Sequence, residues 1–159
     1  MAARRAKKRV QSERPFLATF ACLKEDGMAF RCPQCLTPSS LKIVLALELC
    51  PDAGCEEITL QILACGACGL QAAAVFAEPR RGAFDHDDWT HTGLRLPAAE
   101  LEALAAVIRA CPNPVEPTCR CPSHRRLGAQ DSQGRWLGQT LFAHDPDSLA
   151  VFDMHLAVS

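Results

Sequence analysis

Phe30-Arg-Cys32-Pro-Gln-Cys35 and Cys65-Gly-Ala-Cys68-Gly69, with 29 residues between the pairs, are the stretches on which the reading of this chain turns. Each is a C-x2-C pair, the spacing that lets two thiolates grip one metal ion while backbone N–H groups turn toward the sulfurs. Gly66 and Gly69 suit the tight and left-handed backbone positions such a knuckle needs. The spacer has room for two strands and a tip: Leu41 to Leu49 and Ile58 to Ala64 are rich in aliphatic and β-branched residues, and Cys50-Pro-Asp-Ala-Gly-Cys-Glu-Glu57 supplies turn chemistry between them. Leu70 to Ala77 then reads as a third strand, antiparallel to the second. The result is a three-stranded ribbon with both knuckles side by side at one end. Four thiolates from Cys32, Cys35, Cys65 and Cys68 would close a tetrahedral zinc site that leaves no position for substrate, although iron is able to use the same ligands.

Past the ribbon, Pro97 opens a helix whose Leu101, Leu104, Ala105 and Ile108 share one face, and Cys111-Pro112 ends it. A second ligand set follows in a proline-rich loop: Cys111, Cys119, Cys121 and His124. Cys121-Pro-Ser-His124 repeats the shape of the first knuckle with His as its last donor, which predicts a Cys3His zinc site; the alternative is free thiols in a flexible loop. After the Asp131-Ser-Gln-Gly134 turn, Trp136 to Ala143 and Leu149 to Val158 read as a closing β-hairpin. The expected fold is small α+β. Residues 1–14 form a disordered basic arm and residues 15–95 a zinc ribbon, on which residues 96–159 pack a helix, a zinc loop and a hairpin.

Ten cysteines in 159 residues would suit either a secreted disulfide framework or an intracellular metal framework. No apolar stretch follows the N-terminal charges, and no segment reaches membrane-spanning length, so the expectation is a cytoplasmic protein, or a nuclear one in a eukaryote, with reduced thiols. Cys22, Cys50 and Cys55 then read as reduced and structurally idle rather than as a disulfide or a further metal edge. Residues 1–14 carry six Lys or Arg against Glu13, a balance of +5, so the remainder sums to −6. Two zinc ions on seven thiolates and a neutral His would take that body to about −9. An acidic body of this kind is unsuited to general nucleic-acid binding, whereas Arg4, Arg5, Lys7, Lys8 and Arg9 of the arm suit phosphate contacts; a solubilising tail is the other reading.

Residues 79 to 95 read as a polar segment too charged for a core. Asp85, His86, Asp87, Asp88 and His91 within it are ligand types, but they lack the helical i, i+4 placement of a metal-enzyme site and read as solvated, with Trp89 as an anchor or partner contact. No nucleophile, base and orienter set is visible, so the chain is expected not to be an enzyme.

The order of basic arm, Phe30-x-Cys32-Pro-x-Cys35, ribbon, Cys65-x-x-Cys68, Ala77-Glu78-Pro79 and an acidic segment with Trp89 resembles the Elf-type transcription elongation factor zinc ribbons. The resemblance covers roughly residues 4 to 90. It implies a zinc-held fold that rides with RNA polymerase near DNA. The tip residues Asp52, Glu56 and Glu57 invite a second comparison, with transcript-cleavage elongation factors that present acidic residues from a ribbon tip. From these readings the chain is expected to be a zinc-stabilised binding module in a nucleic-acid-linked assembly, with a protein partner on its acidic body. A protein-only adapter is the alternative.

Overall fold

Aliphatic side chains at every second position make Leu41–Leu49 a strand, and the Pro-Asp-Ala-Gly turn returns the chain along it as Cys55–Cys65. In the computed structural model, which describes residues 29–80, 90–142 and 151–155, this hairpin lies inside a six-stranded antiparallel sheet whose strands follow one another in chain order. The strands are β1 (Ala29–Phe30), β2 (Leu41–Leu49), β3 (Cys55–Cys65), β4 (Gln71–Pro79), β5 (Thr90–Leu94) and β6 (Val151–Asp153). The sheet curls until its two edges meet: the Arg31 N–H, just past β1, donates to the His155 carbonyl, just past β6, at 3.1 Å. A 12-residue helix α1 (Ala98–Arg109), a short helix α2 (Pro122–Leu127) and a 3-10 helix (Leu137–Phe142) complete the described elements.

β2 serves both faces of this sheet. Leu41 and Ile43 pair with Cys65 and Leu63, but the register then slips, and Leu45, Leu47 and Leu49 pair with Ile62, Leu60 and Ile58. Val44 is the extra residue of a β-bulge. Paired residues share a face, and β3 alternates without interruption from Ile58 to Cys65, so odd-numbered β2 residues before the bulge face one side and those after it face the other. Two cores follow. Leu47, Leu49, Ile58, Leu60, Ile62, Ala73 and Val75 pack against Leu101, Ala105 and Ile108 of α1 and against Trp136. Phe30, Leu41, Leu63, Ala72, Ala74 and Met154 form the other core inside the curl. Phe152 adds its ring there by lying over Gly93, its β5 partner, where a Cβ would overlap the ring.

The helix stands where its sequence placed it. Pro97 is its N-cap, with its carbonyl accepting the Glu100 and Leu101 N–H groups, and Leu101, Ala105 and Ile108 are its buried stripe. Two expectations are corrected. Thr90–Leu94, assigned to a polar segment, is a strand, because Leu94 faces one core and His91 finds a polar partner in the other. The closing hairpin does not form: Leu137–Phe142 is a 3-10 helix, and Val151–Asp153 pairs with β5, adding its strand to the main sheet. Residues 1–28, which include the arm and Cys22, lie outside the described residues, as do residues 81–89 with Asp85, His86, Asp87, Asp88 and Trp89. Among the described residues no helix is long and apolar enough to cross a membrane.

Candidate metal centres

The first cluster sits where β1 leads into β2 and β3 turns into β4. Both knuckles make the same two backbone hydrogen bonds. Cys32 N–H donates to Thr37 O and Leu36 N–H to Cys32 O; Cys65 N–H donates to Leu70 O and Gly69 N–H to Cys65 O. Leu36 therefore occupies in the first knuckle the place of Gly69 in the second, and both are left-handed, with φ of 60° and 76°. Glycine adopts that conformation freely, whereas for leucine it costs about 1 kcal/mol. The expectation that Gly69 meets a left-handed position holds, while Gly66 has no positive φ.

The ligand atoms of Cys32, Cys35, Cys65 and Cys68 lie within 4.8 Å of one another. Cys32 and Cys68 sulfurs are 3.6 Å apart and those of Cys35 and Cys65 3.8 Å. A tetrahedron with metal–sulfur arms of about 2.3 Å has edges of about 3.8 Å, so the four sulfurs stand at the spacing one ion requires. A disulfide would need about 2.05 Å, and all four are free thiols. The Gln34 N–H donates to Cys32 Sγ at 3.4 Å and Gln34 Nε2 to Cys68 Sγ at 3.7 Å. Such donors stabilise thiolate over thiol.

The second cluster is assembled from less regular pieces. Cys111 ends the α1 segment, Cys119 and Cys121 come from the loop, and His124 from α2, with Cys121 as the N-cap of α2 receiving the His124 N–H. Their ligand atoms also lie within 4.8 Å of one another. His124 Nδ1 is 3.3 Å from Cys111 Sγ and 3.4 Å from Cys121 Sγ, and those two sulfurs are 3.6 Å apart. Arms of about 2.3 Å to sulfur and 2.0 Å to nitrogen give a mixed edge of about 3.5 Å, so this set fits one ion as well. The far side of the ring is occupied: Nε2 donates to the Glu48 carbonyl at 2.9 Å, which leaves Nδ1 as the lone-pair donor. The Glu48 N–H in turn donates to Pro114 O at 2.8 Å, so the loop covers the β2 edge where β1 is absent. Ser123 Oγ donates to Val107 O at 2.7 Å, tying α2 to α1.

The protonation balance differs from sulfur to sulfur. Hydrogen bonds from the Thr37 hydroxyl and N–H bring Cys35 down to about 6, and the His124 N–H and ring bring Cys121 down to about 6. Cys68 feels the lowering N–H of Leu70, but lost solvation and its three neighbouring thiols push it up to about 12. Burial, aided by the Cys121 and Cys119 thiols and opposed by the Asn113 N–H, pushes Cys111 up to about 11. Each cluster thus holds a sulfur whose thiolate is favoured beside one that would give up its proton to an arriving cation. Metal capture would release protons.

Other candidate residues serve the fold. Asp52 of the acidic tip is only 4% exposed, not presented outward: one carboxylate oxygen takes the Gly54 and Cys55 N–H groups and the other the Trp136 N–H. Burial raises its pKa, but these three donors together with Arg80 outweigh that and hold it below the usual carboxylate range. Glu56 and Glu57 are exposed. His91 is 6% exposed, its Nε2 is 2.7 Å from Gln61 Oε1, and its ring meets Phe30 and Phe76 edge-on at centroid distances of 4.8 and 5.8 Å. Burial lowers its pKa to about 4, so it is a neutral core histidine. Cys55 is buried beside the tip, and Cys50, exposed, donates to Pro117 O at 2.9 Å. The arm residues Arg4, Arg5, Lys7, Lys8 and Arg9 lie outside the described residues. Sequence reasoning passed over Ser123 and Glu48, whose roles arise from tertiary contacts, although a serine inside Cys121-Pro-Ser-His124 was visible. Compared with protein-family models, curated proteins and solved structures, the chain matches none.

Proposed function

We propose that the protein is a non-enzymatic, zinc-stabilised binding module of a nucleic-acid-linked assembly, with transcription as the setting suggested by its resemblance to elongation-factor ribbons. The observation that carries the reading is that each cluster supplies four protein donors at tetrahedral spacing, which leaves a bound ion no open position for substrate. Soft thiolates with at most one imidazole suit zinc, and iron is the competitor at the all-sulfur site. The two ions would hold in place what the fold displays. The basic arm contacts phosphates, and the acidic body docks on a protein. Native mass spectrometry with and without a chelator tests the first half: two zinc ions are expected, and a protein that takes up none ends the reading. Salt-dependent binding of nucleic acid by intact and arm-deleted protein tests the second; equal binding by both removes the arm's role.

A protein-only adapter is the second reading, and one observation favours it. Each cluster lies beside an exposed large apolar side chain, Leu36 at 64% and Val115 at 73% exposure. Under this reading the chain binds no nucleic acid at low salt, and Leu36→Ser weakens capture of a defined protein partner.

A further inference from the structure

The basic arm is not the only place where this acidic chain gathers positive charge. Between Glu116 and Asp131 it carries Arg120, Arg125 and Arg126 and no carboxylate, whereas the chain beyond residue 14 sums to −6. All three arginines are exposed, and none forms an ion pair with a described residue. The two flanking acids already serve turns. Glu116 Oε1 takes the N–H and hydroxyl of Thr118 at 3.2 and 2.5 Å, and Asp131 Oδ1 takes the N–H groups of Gln133 and Arg135 at 2.8 and 2.9 Å.

The backbone beneath these arginines is held from three directions. Cys121 and His124 are donors of the second cluster, Ser123 is bonded to α1, and the Leu127 carbonyl accepts the Trp136 indole N–H at 2.7 Å. Ser123 and His124 are buried, and Leu127 packs on the core. At about 100° per residue these three define the inward arc of α2, which leaves Arg125 and Arg126, with Pro122, on the outward arc. Arg120 is exposed just ahead of the N-cap.

We infer that Arg120, Arg125 and Arg126 form a preformed phosphate-binding face on the Cys3His loop, by which the protein grips a nucleic-acid backbone independently of its basic arm. The inference rests on the nucleic-acid reading above and gives it a second, structured contact. A guanidinium fork matches two phosphate oxygens, and every position of the group is arginine, not the more strongly hydrated lysine. A nucleic-acid strand repeats one equivalent charge at each nucleotide, so three guanidiniums that pair with no described residue find partners in any register, whereas carboxylates of an acidic protein have to be placed individually. Fixing the platform before binding lowers the ordering cost of each contact.

The test uses the full-length, zinc-loaded chain and fluorescence anisotropy with a labelled duplex of about 25 base pairs and a single strand of the same length, across a salt series. Two variants are compared: Arg120→Gln/Arg125→Gln/Arg126→Gln, and a second in which Arg4, Arg5, Lys7, Lys8 and Arg9 are all changed to Gln. Metal stoichiometry by native mass spectrometry verifies that each variant keeps its fold. The loop variant is expected to lose about tenfold or more in affinity at low salt, and its log–log salt slope on duplex to flatten by about 2 to 3. Replacing the same three positions with Lys restores the slope but only part of the affinity. An unchanged affinity and slope in the loop variant, with binding lost in the arm variant, overturns this inference and leaves the arm reading standing. Loss in the loop variant alone does the reverse. No binding by the intact chain ends both. Displacement by poly-glutamate as efficient, charge for charge, as by unlabelled DNA also overturns it, in favour of an acidic protein.

Discussion

The two clusters place the same kind of donors at the same separations on different foundations. Cys32, Cys35, Cys65 and Cys68 hang from knuckles whose ends continue into strands, and the ladders of β2, β3 and β4 hold those ends whether or not an ion is present. Cys111, Cys119, Cys121 and His124 span a stretch with one six-residue helix and no strand, where the backbone satisfies itself largely through short turns and through contacts with Glu48, Val107 and Trp136. The difference teaches where a metal would finish a structure and where it would make one. At the first cluster the sheet brings the ligands together. At the second, the ligands hold the loop.

Comparing zinc-loaded with chelator-treated protein is the hardest strain on this contrast. Structural zinc binds with about 10–16 kcal/mol, more than a small domain's whole stability, so the loop at residues 111–128 should lose hydrogen-exchange protection while β3 and β4 keep theirs. Simultaneous loss in both regions breaks the comparison. Asp52→Ala weakens the link between the sheet tip and the Trp136 segment behind the second cluster. It strips three backbone N–H groups of their acceptor and should cost about 3 kcal/mol in urea denaturation, with the exchange rates of residues 29–41 little changed.

His91 tests the core on the first cluster's side. Its folded pKa is lowered to about 4 from an ordinary value near 6.5, so between those values the unfolded chain binds a proton that the folded chain does not. Stability is therefore full above the upper value and falls as pH drops toward the lower one, by about 3 kcal/mol at most. Gln61→Leu/His91→Phe replaces both polar partners and should flatten that window relative to the unaltered chain at saturating zinc, with thiol titration common to both. An identical slope in the double variant removes His91 from the account. The smallest effect compares the knuckles themselves: Leu36→Gly should stabilise by about 1 kcal/mol by relieving the left-handed leucine, whereas Gly69→Leu should destabilise by a similar amount.

The knuckles, the central strands and the helix were legible because each is local: C-x2-C spacing, aliphatic alternation, and the stripe of Leu101, Ala105 and Ile108. Gathering of the two ligand sets was legible for the same reason, since each set lies close in sequence or on adjoining strands. Thr90–Leu94 was not, because its polar His91 is buried against Gln61, 30 residues away, and its Gly93 is demanded by Phe152. The run Leu41, Ile43, Leu45, Leu47, Leu49 reads as a single buried face and conceals the bulge that divides it between two cores. Trp136 pointed to a strand by propensity, yet its N–H is taken by Asp52 and the chain beyond it winds into a 3-10 helix. Tertiary partners decided those positions.

Glu48 carries a consequence for how this protein fails. Its N–H and carbonyl are satisfied by Pro114 and His124 of the second cluster's loop, on the edge of β2 that faces away from β3 and that β1 does not reach. If the loop lets go, an apolar strand edge lies open, and open edges are templates on which other chains add strands. Metal at the second cluster would then act as a guard against aggregation, and zinc-starved protein should be lost from solution by β-pairing between molecules before its sheet unfolds.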